Sequence, residues 1–227
     1  IDRSRGLGDV YKRQSFETPT LNELSNNPNG SGLNKNLDPS SSVNYELGWR
    51  KSVSNFLLQA TAYLINTDNE ILPYELEEFP GKNFYRNVGS TTRYGIEFSS
   101  QLLFSNGKLN LSYTNSKNIF KDFDLDGDNL KDLSIPGIPN QILDIELIFN
   151  LSKRQSIVIS NRLIGELYAD NLNETKTSSY NLLNLTYSKG VFKKSQLYLG
   201  VNNLLDVNYY DNIRINAFGK RYYEPAP

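Results

Sequence analysis

Asp122, Asp124, Asp126 and Asp128 alternate along one stretch, with Gly127 just before the last of them. Carboxylates at every second position set oxygens around a single ion, and this spacing copies the head of a calcium loop. The closing position, where such a loop needs a bidentate Glu, is Leu133. The flanks read as strands, so a solvated acidic loop is the alternative to calcium binding. Glu75, Glu77 and Glu78 make the one tight acidic cluster that resembles an acid–base site. Nothing completes it. The chain has no His and no Cys, which removes the commonest general base, the commonest transition-metal ligand and any thiol nucleophile. An enzyme is therefore not expected, and no cofactor beyond that calcium. The 24 basic and 25 acidic residues leave a net charge of −1, so no electrostatic footprint for nucleic acid is visible.

The elements that position these residues are strands. Apolar residues make up 38% of the chain while aromatics reach 12%, a pairing that disfavours disorder and suits strands with one apolar face. No apolar run is long enough for a transmembrane helix. From Ser42 onward, segments alternate with period two. Val43, Tyr45, Leu47 and Trp49 oppose Asn44, Glu46, Gly48 and Arg50. Leu58, Ala60, Ala62 and Leu64 oppose Gln59, Thr61 and Tyr63. The same reading holds for Tyr94–Phe104, Leu109–Tyr113, Leu143–Leu151, Leu183–Tyr187 and Leu197–Val201, and less cleanly for Ile157–Leu163. That makes eight strands, most near 11 residues, and about 11 residues tilted by ~40° span roughly 28 Å. Soluble strands are shorter, while the apolar band of a membrane barrel is ~25 Å tall. Glu46, Glu97 and Glu146 fall at strand centres, tolerable only on a wet inner face.

Connection lengths supply an independent test. Short turns near Ser52–Ser54, Ser105–Gly107, Ser152–Arg154 and Gly190–Lys194 alternate with long stretches at about 67–85, 119–141 and 170–177. Short periplasmic turns and long extracellular loops produce that parity. Asn106-Gly107 is expected to form a type I′ turn, and Tyr63, Phe104, Tyr168 and Tyr187 are candidates for interfacial aromatic girdles. The fold expected is all-β, an antiparallel transmembrane barrel.

The first fourteen residues stand apart. Asp9-Val10-Tyr11-Lys12-Arg13-Gln14 resembles a translation of the transposon end used to build sequencing libraries, with a basic, flexible arm as the alternative, and residues 1–14 are set aside from the fold as an expected adapter artefact. The chain lacks Met altogether and begins with Ile1, as expected of a fragment.

Phe16-Glu17-Thr18-Pro19-Thr20-Leu21-Asn22-Glu23-Leu24, Asn36-Leu37-Asp38-Pro39 and Asn44-Tyr45-Glu46-Leu47-Gly48 resemble the barrel of TonB-dependent outer-membrane receptors. Asn69–Tyr74, Tyr85-Arg86-Asn87-Val88-Gly89, Tyr94-Gly95-Ile96-Glu97, Ile138-Pro139-Asn140 and Val201–Asp206 continue the resemblance in order over residues 16–227. It implies that residues 15–227 are the C-terminal part of a barrel of about 22 strands closed by an N-terminal plug. The chain stops at Tyr223-Glu224-Pro225-Ala226-Pro227, which resembles the lead-in to the family's last strand, so that strand is expected to be missing. With open edges, the isolated chain is expected to aggregate in water.

The resemblance further implies a bacterial outer-membrane location among lipids and coupling to TonB through the absent plug and TonB box. It also implies uptake of a scarce ligand, a ferric siderophore or another iron complex. In this family ligand contacts come from the plug and the extracellular loops. On that basis Tyr74, Phe79, Phe84, Tyr85 and Arg86 of the first long loop are candidate ligand contacts, with Tyr209, Tyr210 and Arg214 of the last. Aromatic rings and Arg suit anionic, ring-bearing ligands. A passive porin and a soluble β-rich adhesin or sugar-binding module remain the competing readings.

Overall fold

Strict alternation gives each strand two unlike faces, and such strands ladder most simply with their sequence neighbours. A computed structural model describes residues 7–125, 127–217 and 223–225. Nine strands form one antiparallel sheet in sequence order. They are β1 (Leu7–Glu17), β2 (Ser40–Val53), β3 (Phe56–Asp68), β4 (Ser90–Phe104) and β5 (Gly107–Asp122), followed by β6 (Gln141–Ser152), β7 (Gln155–Ile164), β8 (Tyr180–Phe192) and β9 (Ser195–Val201). The eight strands expected from alternation are β2–β9. β1 is additional and runs through residues 7–14, pairing Leu7 with Arg50 and Glu17 with Ser40. Backbone ladders accept almost any non-proline sequence, and β1 takes the edge of β2.

The parity of connections is as expected. Ser54-Asn55, Ser105-Asn106, Lys153-Arg154 and Lys193-Lys194 alone join β2 to β3, β4 to β5, β6 to β7 and β8 to β9, so every short turn lies at one end of the sheet. The type I′ turn is not formed. Its central residues would both need positive φ, yet neither Asn106 nor Gly107 is among the positive-φ residues. Gly107 serves a different end, because a Cβ there would run into the Ile148 carbonyl oxygen of β6 and the Phe104 ring.

The sheet is inside out relative to a soluble protein. Register places Glu97, Thr61 and Thr114 on one face, with Asp144, Ser112 and Ser99 beside them. The other face carries Leu47, Trp49, Ile96, Leu147, Leu199 and their neighbours, and it is open: Leu47 is 58% exposed, Ile96 54% and Leu199 58%. Tyr63 lies opposite Glu46 and Gly95 on the polar face, so it belongs to no outer girdle. Phe104 and Phe149 do lie on the apolar face near the short turns, with ring centres 6.3 Å apart.

The main buried apolar core sits at the long-connection end of the sheet. Val88, Phe120, Phe123, Leu130 and Ile135 form it, and Leu72, Leu125, Leu133 and Ile138 pack against it. Each long connection from β3 onward carries its own small hairpin: Ile71–Glu75 with Asn83–Asn87, Asp124–Leu125 with Asp128–Asn129, Leu167–Tyr168 with Lys176–Thr177, and Tyr210–Ile213 with Tyr223–Pro225. Ahead of β2 lies α1 (Leu21–Ser25), whose capping box explains the Thr20-x-x-Glu23 spacing. The Thr20 N–H donates to Glu23 Oε2 at 2.7 Å, and the Glu23 N–H donates to Thr20 Oγ1 at 3.3 Å.

Candidate functional site

The polar face is concave and cross-linked strand to strand. Gln101 donates to Asn110 Oδ1 at 2.9 Å, and Asn110 donates to Glu146 Oε1 at 2.8 Å, joining β4, β5 and β6. One row away, Arg162 of β7 lies 3.6 Å from Asp144 of β6. These side chains border a hollow of about 570 Å³. A carboxylate row of this kind is stable only in contact with water or polar protein.

At the long-connection end, the hairpin of Ile71–Glu75 and Asn83–Asn87 collects most of the aromatic candidates. Tyr74 pairs with Phe84, with ring centres 6.1 Å apart, and Phe79 lies 5.7 Å from Phe84. The Arg86 guanidinium sits 4.0 Å from the Tyr74 ring centre, and Lys82 lies 4.9 Å from that of Phe84. Each cation keeps N–H groups free of the ring face it covers, so the cluster offers positive charge held over aromatic surface. Phe84 itself is buried and anchors the hairpin.

Arg214 comes to the same hairpin from the far end of the chain. It forms an ion pair with Glu75, whose side chain is only 3% exposed, and the Gly81 N–H donates to the other Glu75 oxygen at 3.2 Å. Asn216 adds a bond to the Pro73 carbonyl at 3.1 Å. The first and last long segments thus meet, which requires the sheet to curve and bring its loops together. Tyr85 and Tyr209 do other work: the Tyr85 carbonyl accepts from Asn34, and Tyr209 stacks on Tyr180 at 4.8 Å. Tyr210 stands at the start of its short strand, 43% exposed.

Sequence reasoning missed Lys82 and misread Glu75. Lys82 lies between Phe79 and Phe84, a spacing that signals a cation among rings. Glu75 was grouped with Glu77 and Glu78, but the fold withdraws it onto Arg214. Another ion pair at this end joins Arg93 at the top of β4 to Glu70, which also accepts from Thr91. Lys176 donates to Glu166 at 2.9 Å, and that bond with the nearby negative charge raises its pKa above the ordinary lysine value.

Of the acidic stretch, Asp122 ends β5, while Asp124 and Asp128 flank the tip of a two-residue-strand hairpin. Asp126 lies outside the described residues. Gly127 has φ of 100° at that tip, a conformation the hairpin itself needs. Asp122, Asp124 and Asp128 are exposed, and among the described residues no three acidic groups converge as metal ligands.

Comparison with known proteins fits this geometry. The family model described as TonB dependent receptor-like, beta-barrel matches residues 13–204. Among solved structures, the copper transporter OprC superposes with a TM-score of 0.75 at 19% identity, covering 100% of this chain and 36% of its own. The ferric yersiniabactin uptake receptor FyuA from Yersinia pestis gives 0.69 at 19% identity, over 89% of this chain and 30% of its own. The ferric-catecholate import receptor Fiu from K12 E. coli gives 0.67 at 20% identity, over 96% and 31%. The chain spans about a third of the length of these relatives, and at such identities the likeness shows the fold.

Proposed function

This chain belongs to the TonB dependent receptor-like β-barrel family, and from that premise we propose that it forms part of the outer-membrane wall of a receptor that imports a ferric siderophore or similar iron complex. The observation that carries the membrane placement is the inverted sheet: an open apolar face backs a concave polar face across β2–β9. Water would penalise that apolar face, and lipid would penalise Glu46, Glu97 and Glu146 anywhere else. A barrel wall satisfies both. The coupling partner is TonB, engaged through receptor segments outside this chain.

The chelate reading rests on the Tyr74–Phe79–Lys82–Phe84–Arg86 cluster. Arg and Lys over ring faces attract an anionic, ring-bearing complex through charge and stacking together.

Full-length receptor in detergent tests the reading by calorimetry with a ferric catecholate chelate. Arg86→Ala combined with Lys82→Ala should weaken binding by roughly tenfold, since each solvent-accessible cation–π contact contributes about 0.5–1 kcal/mol. Binding unchanged in that double variant would remove the cluster from the ligand site.

A further inference from the structure

Charge is segregated along the strands. The four short turns lie within residues 49–57, 103–109, 150–156 and 188–196, which hold eight of the 24 basic residues and none of the 25 acidic ones. The remaining chain therefore carries a net charge of −9, with Glu75, Glu77, Glu78, Asp124 and Asp128 at the long-connection end. Lys153-Arg154 and Lys193-Lys194 are the turn residues themselves. Lys51 and Lys189 share the apolar face with Trp49 and Tyr187, while Arg50 and Lys108 lie on the polar face. Among the described residues none of the eight is in an ion pair. Arg154 donates to the Phe192 carbonyl, and the Gly190 N–H donates to the Arg154 carbonyl at 2.7 Å, which ties two neighbouring turns together.

The same turns expose apolar residues on the outward side. Leu151, Val191 and Phe192 stand open there, Phe192 at 71%, beside the Phe104–Phe149 pair. Apolar and aromatic groups followed directly by unpaired Lys and Arg match a bilayer interface, where long stems lie along acyl chains and cationic heads reach phosphates. We propose that this rim binds the anionic phospholipid headgroups of the leaflet on the short-turn side. The proposal rests on the membrane placement above. Its distinguishing support is continuity: a water-soluble acidic partner would gain from the charges but leave Leu151, Val191 and Phe192 exposed, whereas lipid covers both.

Each basic group near an anionic surface contributes up to about a fivefold factor in binding. The test uses full-length receptor in neutral detergent, titrated separately with phosphatidylglycerol and phosphatidylethanolamine, with bound lipids counted by native mass spectrometry. A variant carrying Lys51→Gln, Lys153→Gln, Lys189→Gln, Lys193→Gln and Lys194→Gln removes charge while leaving Arg154 and its bond intact. Phosphatidylglycerol should bind wild type at least tenfold more tightly than phosphatidylethanolamine, and the variant should lose most of that preference. A preference absent from wild type or kept by the variant would overturn the inference. So would polyglutamate binding the rim as tightly as phosphatidylglycerol does. Failure to insert into vesicles of either lipid would overturn the membrane placement as well; insertion without headgroup preference would overturn this inference alone.

Discussion

Leu147 and Ile148 are neighbours in β6, similar in size and hydropathy, and the fold sends them to opposite faces. Leu147 lies opposite Leu109 and Ile159 on the apolar face, and Ile148 opposite Lys108 and Val158 on the polar one. Leu147 stands five residues from the end of β6 at Ser152. At ~3.3 Å per residue and a ~40° tilt it lies roughly 13 Å above that end, close to the middle of a ~25 Å apolar band. An Arg at that depth on the lipid face costs about 2–4 kcal/mol. Leu147→Arg should therefore lower the folding free energy by that amount. Ile148→Arg enters the wet face and should cost under ~1 kcal/mol, some of it repulsion from Lys108. Equilibrium urea unfolding of full-length receptor in lipid vesicles, read by heat-modifiable gel mobility, measures both. Equal losses for the two variants, or a larger loss for Ile148→Arg, would refute the assignment of faces.

The cap of long connections should respond separately from the sheet. Phe120 is fully buried against Phe123, with ring centres 5.3 Å apart, so Phe120→Ala should cost about 3–5 kcal/mol locally. Amide exchange is expected to speed up across residues 119–135 while β2–β4 stay protected. Arg214→Ala removes the cation beside the buried Glu75 carboxylate while its bond from the Gly81 N–H remains, a loss of about 1–3 kcal/mol, and limited proteolysis should then cut near residues 209–217 sooner than in wild type. Gly107→Ala forces a Cβ against the Ile148 carbonyl, and the β4–β5 hairpin should be destabilised by about 1–3 kcal/mol, visible as a lower unfolding midpoint.

The strands were legible because each must present an apolar face to one medium and a polar face to another, and period-two alternation records that directly in β2–β6. The connections kept their parity for the same topological reason. Their internal order was not legible, because hairpins such as Ile71–Glu75 with Asn83–Asn87 are too short for periodicity to register. A signal was nevertheless present: Phe120, Phe123, Leu125, Leu130, Leu133 and Ile135 are too many apolar residues for a stretch of solvated loop, and they build the buried cap. The candidate site was half legible. Tyr74, Phe79, Phe84 and Arg86 share one hairpin, as their closeness in sequence suggested. The Glu75–Arg214 pair joins residues 139 positions apart, and no local pattern encodes such a contact.

The central claim is that one face of this sheet meets lipid and the other meets water, and a spin-label scan along β4 tests it most directly. Single Cys substitutions from Gly95 to Leu102 in full-length receptor, labelled with nitroxide in vesicles, report collision with oxygen and with a water-soluble paramagnetic reagent. Oxygen access should peak at Ile96, Phe98, Ser100 and Leu102, and access to the water-soluble reagent at Gly95, Glu97, Ser99 and Gln101. A profile without period two, or with the two sets exchanged, would contradict the account.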